Sequence, residues 1–299
     1  MTYHKPVLLQ ACVDGLDIRP EGTYVDVTFG GGGHSRAILE KLGPEGRLFA
    51  FDQDPEAVAN QPDDPRFTLI RQNFRYLRNS LRMYGVEKVN GILGDLGVSS
   101  HQFDTAERGF SWRFDAPLDM RMNPSRPLNA DQVLNEYTEE ELARVLWSYG
   151  EVQRPRMVAR KLVKARENES VHTTGELVRI LEPQAQRKKA PVFFAQVFQA
   201  LRIEVNGELD ALRDLLEQSL EVLDSGGRLV IISYHSLEDR MVKIFMREGK
   251  LDGEADRDFY GNRLVPFKLI SRKAIQPGEE EMEENSRARS ARLRIAEKI

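Results

Sequence analysis

Short apolar runs alternate with amphipathic segments over the first third of the chain, as in a parallel sheet whose faces are covered by helices. The spacing predicts strands over Tyr24 to Phe29, Arg47 to Phe51, Phe67 to Ile70 and Val89 to Leu93. Between the first two, Ile38, Leu39 and Leu42 mark a helix that opens near His34-Ser35 and stops at Gly43-Pro44. Asp54-Pro55-Glu56 opens another, with Asp54 as N-cap and Pro55 in the first helical position.

From about Phe103 the alternation gives way to a polar, aromatic-bearing stretch and then to helical periodicity. Thr138 and Glu141 form a capping box ahead of Leu142, Val145, Leu146 and Tyr149, and Thr173 with Glu176 repeats it ahead of Leu177, Ile180 and Leu181. Leu209, Leu212, Leu216, Leu220 and Leu223 then mark a long helix ending at Gly226-Gly227. The run from Arg228 to Tyr234 reads as a buried strand, and Leu293 with Ile295 as a closing one. The acidic run Glu279 to Glu284 is expected to be a solvated loop. The organisation that follows is an α/β, Rossmann-like sheet domain in two segments, 1–106 and 198–299, interrupted by a mainly helical insertion over 107–197.

A chain of 299 residues with 40% hydrophobic residues can bury a sizeable core, which excludes a disordered or collagen-like protein. With 47 acidic and 43 basic residues the net charge is −4, so a nucleic-acid partner has to be held by a local basic surface. The single cysteine, Cys12, permits no internal disulfide. His4, His101 and His172 are scattered, and no metal site is expected. The segment Met1 to Pro6 lacks a signal pattern, and no apolar run approaches the ~18 residues of a membrane span. A cytoplasmic protein without a membrane partner is expected.

The segment Asp26-Val-Thr-Phe-Gly30-Gly-Gly-Gly33-His34-Ser35 runs from a strand through consecutive glycines into a helix. Glycines let a ligand approach the backbone, and the helix N-terminus offers N–H groups to an anion. A dinucleotide fingerprint needs a third glycine or alanine where Ser35 stands, which disfavours NAD. Asp52, about 20 residues on, sits where an acidic side chain holds ribose hydroxyls. S-adenosylmethionine shares that ribose but has no pyrophosphate; its carboxylate can meet the helix N-terminus, and Phe74 offers its adenine an apolar edge. Asp95, at the end of the fourth predicted strand, joins the same sheet edge, either as a functional group or as a turn cap.

Attack on a cytosine ring needs a reactive cysteine, whereas Cys12 lies in an apolar segment where cysteine behaves as a small hydrophobe. An exocyclic amine needs alignment with the sulfonium carbon and an acceptor for its N–H, a role open to Asp95 or a backbone carbonyl. After the last long strand, Ser236 with Asp239 resembles a capping box, and His235 either orients substrate or is an interior histidine. From Arg154 to Arg166 there are six basic residues and no acidic one: Arg154, Arg156, Arg160, Lys161, Lys164 and Arg166. Arg156, Arg160 and Lys164 share a helix face suited to phosphates. Arg187-Lys188-Lys189 and Arg287, Arg289, Arg292 and Arg294 are further candidates.

Together these segments resemble the RsmH (MraW) family of bacterial 16S ribosomal RNA cytosine-N4 methyltransferases. The resemblance spans almost the whole chain. It is carried by His4-Lys5-Pro6-Val7-Leu8-Leu9, Thr28 to Ser35, Asp52-Gln53-Asp54-Pro55, Asp95 to Ser100, Glu107 to Ser111, Pro117 to Met122, Phe198 to Ile203, Ser236 to Arg240 and Arg287 to Ser290. It implies a methyltransferase sheet interrupted by a helical domain, S-adenosylmethionine as donor, and a cytidine of the decoding region as acceptor in 16S rRNA of the assembled small subunit. It further implies a donor site of Gly32, Gly33, His34, Asp52, Phe74, Asp95 and Gln102, and family analogy extends to a homodimer. The catalytic candidates are Asp95 and His235; the RNA-binding candidates are Arg154, Arg156, Arg160, Lys161, Lys164, Arg287 and Arg289. Gly94 departs from the larger apolar residue usual in relatives, and Gln196 from a basic one.

Two rival classes stand beside this reading. A non-catalytic RNA-binding ribosome-assembly factor has no need for the glycine loop together with Asp52. A nicotinamide-dependent oxidoreductase needs the third glycine.

Overall fold

The computed structural model describes residues 6–185 and 188–299; the sequence candidates His4, Lys5 and Arg187 lie outside the described residues. In chain order, the elements up to residue 97 are α1 (Leu9–Leu16), β1 (Thr23–Asp26), α2 (Gly33–Lys41), β2 (Arg47–Phe51), β3 (Phe67–Ile70), α3 (Leu77–Met83) and β4 (Val89–Asp95). Six helices follow: α4 (Ser100–Asp104), α5 (Ala130–Glu136), α6 (Glu139–Gly150), α7 (Pro155–Arg166), α8 (Thr174–Leu181) and α9 (Ala190–Asn206). The chain ends with α10 (Glu208–Val222), β5 (Leu223–Ser233), α11 (Ser236–Glu248), β6 (Phe267–Leu269), α12 (Glu279–Glu284) and β7 (Arg292–Lys298).

Among the described residues seven strands form one sheet in the order β3-β2-β1-β4-β5-β7-β6. β1 to β5 run parallel and β7 is antiparallel to both its neighbours, so β7 alone is reversed. This is a Rossmann-like α/β sheet. Its strands are apolar on both faces, as parallel strands covered by helices must be. On one face Val25, Phe49, Phe51, Ile92, Leu229 and Ile231 pack with Leu77 and Leu81 of α3, Leu212, Leu215 and Leu216 of α10, and Val242 and Phe245 of α11. On the other, Tyr24, Leu48, Leu93, Val230, Ile232, Leu293 and Ile295 pack with Cys12 and Leu16 of α1 and Ile38 and Leu39 of α2.

The chain divides into two compact units, the first running through Gly97 and resuming at Leu209, the second comprising Val98–Glu208. The sequence boundaries at 106/107 and 197/198 both fall inside the second unit. The physical reason at the later boundary is that α9 is one uninterrupted helix through Phe198; it ends at Gly207, whose φ of 59° is left-handed. The second unit has its own core, built from Leu134, Leu142, Leu146, Leu162, Leu177, Phe198 and their neighbours. Both predicted capping boxes are present, Thr138 with Glu141 opening α6 and Thr173 with Glu176 opening α8.

Several elements differ from the sequence expectation. Residues 279–284 are helical rather than a loop, and Glu281 Oε1 accepts from the Leu8 N–H at 2.7 Å. Asp54 caps through its Oδ1 as expected, but Pro55–Asn60 is a short 3₁₀ turn and not an α-helix. The N-cap of α11 is His235, not Ser236; the carboxylate of Asp239 is instead held by Arg294 at 2.7 and 3.0 Å. Among the described residues no helix is long and apolar enough to cross a membrane.

Candidate active site

Ligands of open α/β sheets gather outside the carboxyl ends of the strands, at the point where the strand order reverses. Here that point is the pair β1 and β4, with β2 and β3 on one side and β5 on the other. The loop leaving β1 is shaped by Asp26, whose side chain is buried. Its Oδ2 accepts from Ser35 Oγ at 2.7 Å and its Oδ1 from the Thr28 N–H at 3.0 Å, fastening the glycine segment across its own span. Thr28 Oγ1 in turn accepts from the Asp95 N–H at 2.7 Å, which ties the loop to the end of β4.

Gly32 has φ 75°, a left-handed conformation that sets the turn into α2. Gly33 starts the helix with Pro6 pressed against it; a Cβ there would lie 2.2 Å from Pro6 Cγ, so no larger residue fits. The N–H groups of this first turn lack intrahelical acceptors and point out of the helix end. His34 follows, buried, with Nε2 3.1 Å from the Val7 carbonyl and Nδ1 3.9 Å from Asp95 Oδ2.

Asp52 leaves β2 with one backbone N–H on each oxygen, Gly30 on Oδ2 and Asp54 on Oδ1, both at 2.8 Å. Burial pushes its carboxyl up to about 6, against the pull of these two N–H groups. Phe74, half-buried, opens the 3₁₀ turn Phe74–Tyr76 after β3. It is placed by Asn73, which accepts from the Arg75 N–H and donates to Gln53 Oε1 at 3.1 Å. The glycine loop, His34, Asp52, Phe74 and Asp95 therefore all lie at one sheet edge of the first unit.

Asp95 ends β4, and its Oδ1 accepts from the Tyr234 hydroxyl at 2.7 Å. Burial raises the Asp95 carboxyl, opposed by the neighbouring His34 and by the Tyr234 hydrogen bond. Burial and the charge of Asp95 push Tyr234 far above its ordinary range, so the phenol stays a donor. Gly94 sits in a tight slot: a Cβ would approach Ile231 Cδ1 and Val27 Cγ2 to 3.0 Å each. These two side chains occupy the space that a larger residue at 94 would need.

His235 follows Tyr234. Its Nδ1 lies 3.5 Å from the Glu238 N–H as a long capping contact, and its Nε2 lies 3.2 Å from Glu238 Oε1. Gln102 belongs to the second unit, where its side chain is buried and accepts from the Ser99 N–H at 3.1 Å in a capping box. Cys12 is fully buried in α1 and burial pushes its thiol up, so it is a packing residue.

Among the basic candidates, Arg154 is the left-handed residue preceding α7, and Arg156, Arg160 and Lys164 are exposed on that helix with Val158, Ala159 and Leu162 on the buried side. Lys161 is half-buried, and Arg160 meets Glu139 at 3.2 Å. Arg166 is spoken for, donating to the carbonyls of Leu134 and Tyr137. Gln196 donates to the Glu151 carbonyl at 3.3 Å, beside the end of α6. Arg287 and Arg289 lie in the 3₁₀ turn Ser286–Ser290, Arg289 exposed.

Sequence reasoning assigned no role to Asp26. The available signal was an acidic residue inside an apolar run just ahead of consecutive glycines; the strand expected to reach Phe29 in fact ends at Asp26. The Tyr234 to Asp95 bond spans 139 residues and left no local trace.

Comparison with known proteins places this geometry in context. Residues 1–299 match the family described as the MraW methylase family. A ribosomal RNA small subunit methyltransferase H from Flavobacterium johnsoniae is 58% identical over 299 residues, covering 100% of this chain and 99% of that protein. Proteins of the same name from Cytophaga hutchinsonii and Bacteroides thetaiotaomicron are 59% and 55% identical, each over 298 residues; the first covers 99% of both chains, the second 100% of this chain and 98% of its own.

Proposed function

Because the chain belongs to the MraW methylase family, we propose that it transfers a methyl group from S-adenosylmethionine to the N4 amine of a cytidine in the decoding region of 16S rRNA, within the assembled small subunit. The relatives' name supplies the ribosomal RNA class. The observation that carries the chemistry is the hydrogen-bonded edge that joins Asp52, the glycine loop and Asp95 in one unit.

The residues present fit the donor. Each Asp52 oxygen receives only one backbone N–H in the contacts above, which leaves acceptor capacity for two ribose hydroxyls. Gly32, Gly33 and His34 at the start of α2 suit a carboxylate, and Phe74 supplies an apolar wall for adenine. When bound, the donor supplies an electrophilic methyl carbon on a sulfonium.

The acceptor cytosine is taken out of its stack so that the amine can line up with that carbon. Asp95 holds the amine through an N–H, and its position is kept by Tyr234. Burial makes the carboxylate a better proton acceptor than a solvated one. When the donor gives up its methyl group, with the carbon–sulfur bond breaking and a neutral thioether leaving, the amine nitrogen that gains the methyl sheds one proton, and Asp95 takes it. His235 borders the same edge and orients the substrate. Residues 98–208 form the proposed substrate-recognition domain, with Arg154, Arg156, Arg160, Lys161 and Lys164 on RNA phosphates; Arg287 and Arg289 are the RNA candidates of the sheet unit taken by itself.

The test is transfer of tritium from methyl-labelled donor to small-subunit rRNA, followed by nucleoside mass analysis. N4-methylcytidine is the expected product. Label on cytosine C5 or on a ribose would sink the reading.

A further inference from the structure

The sheet unit contains a cavity of about 410 Å³ beside the end of β5, lined by Tyr234, His235, Arg240, Lys243, Arg289 and Arg292 among others. Four of these are cations, and they come from two separate parts of the chain. Arg240 and Lys243 stand one turn apart on α11, both exposed, while Arg289 and Arg292 flank the start of β7, also exposed. The one carboxylate in the lining, Asp239, is bound in a two-pronged contact by Arg294. Among the described residues, Lys243, Arg289 and Arg292 have no acidic partner for their side chains. A concentration of positive charge this close together is unfavourable unless counter-charge is supplied from outside.

Tyr234 is the link to the reaction. It lines the cavity, and its hydroxyl is the donor that holds Asp95. The cavity therefore shares a wall with the place proposed for the amine.

We propose that this cavity is a phosphate subsite, in which Arg240, Lys243, Arg289 and Arg292 hold the RNA backbone next to the target cytidine and so fix how the strand approaches Asp95. The proposal rests on the methyltransferase reading and deepens it: Arg289, already placed on RNA, is joined by Arg240, Lys243 and Arg292 in one pocket of the sheet unit, separate in sequence from the basic face of α7. Arginine forks suit phosphate oxygens in pairs, and a lysine adds a point charge. An extruded base needs its flanking phosphates anchored, because otherwise the strand relaxes back into its stack.

The experiment compares the intact protein with the variant R240Q/K243Q/R289Q/R292Q, using a labelled single-stranded RNA oligonucleotide as probe and calorimetry with S-adenosylmethionine as the control. The variant is expected to bind the donor as before, to bind RNA at least tenfold more weakly, and to show a salt slope reduced by about 2 to 3, since each phosphate on a single strand contributes roughly 0.7. Inorganic pyrophosphate is expected to compete with RNA on the intact protein and to lose that effect on the variant. RNA affinity and slope equal to those of the intact protein would overturn the subsite and leave the methyltransferase reading standing. Weaker RNA binding by the variant, together with no methyl transfer to any RNA by the intact protein, would support the subsite and overturn the activity. If the fourfold variant does not fold, as judged by lost donor binding, K243Q/R289Q is measured in its place, with a slope change of about half expected.

Discussion

Asp52 acts in opposite directions on stability and on binding. Its carboxyl is raised to about 6 in the folded chain, so between the ordinary carboxylate range and pH 6 the folded state holds more protons than the unfolded one. The contribution of this group to stability therefore falls as pH rises through that window, and the protein without donor is expected to gain stability from Asp52 on acidification. Donor affinity runs the other way, because only the ionised carboxylate accepts two hydroxyls: it should climb between pH 5 and 7 and then level off, with D52A binding none. A calorimetric affinity that is flat across this range, or retained in D52A, would remove Asp52 from the site. Tyr234 is a positioning residue. Y234F strips the hydrogen bond that lowers the Asp95 carboxyl, so the acid limb of the kcat profile should move to higher pH. A hydrogen bond to a charged group contributes about 1.5–3 kcal/mol, so kcat should drop by about tenfold to a hundredfold with KM for the donor little changed. An equal loss in KM and kcat with no shift in the profile would reduce Tyr234 to packing. Cys12, buried and with its thiol pushed up, takes no part, so C12A should retain transfer to RNA. At this scale the glycine segment, Asp52 and Asp95 were legible because each lies at the end of a readable strand. The fastening role of Asp26 and the hydrogen bond from Tyr234, itself a candidate pocket wall, to Asp95 were not, because they come from partners brought together by folding.

The helix α7 shows what periodicity can and cannot say. Val158 and Leu162 are buried and Arg156, Arg160 and Lys164 exposed, as the spacing demands. Neutralising those three cations should lower the salt slope of RNA binding by about 2, slightly less if Arg160 must first leave Glu139. An unchanged slope would remove α7 from the interface. The capping boxes were equally local: T138A should destabilise the second unit by about 1 kcal/mol in denaturant unfolding, since the Glu141 N–H loses its acceptor. Elements fixed by distant partners were beyond the pattern. β6 has three residues and exists through its pairing with β7. α12 reads as a solvated acidic run because nothing nearby shows that Glu281 accepts from Leu8. His235 displaced Ser236 as the cap of α11 because Arg294, 55 residues on, claims Asp239.

Seen as a whole, the chain carries two kinds of interior: a sheet apolar on both faces, and a helical core with no strand in it among the described residues. The fold class followed from period-two runs alternating with helices, and the helical interruption from the absence of such runs between Phe103 and Arg228. The breakpoints were less legible, because a helix such as α9 carries the same periodicity whichever side it packs on. If the donor is held mainly by the sheet unit, hydrogen exchange should slow around α2 and the ends of β1, β2 and β4 when it binds, and change little in α5 to α8. Equal slowing in both sets would place the donor elsewhere. The segment from Pro6 to Leu8 matters out of proportion to its length. Pro6 rests on Gly33, Val7 offers its carbonyl to His34, and Leu8 is fastened by Glu281. A protease nick ahead of Leu9 would therefore both strip Val7 and Leu8 from the core of the sheet unit and release the helix end that the donor is proposed to meet.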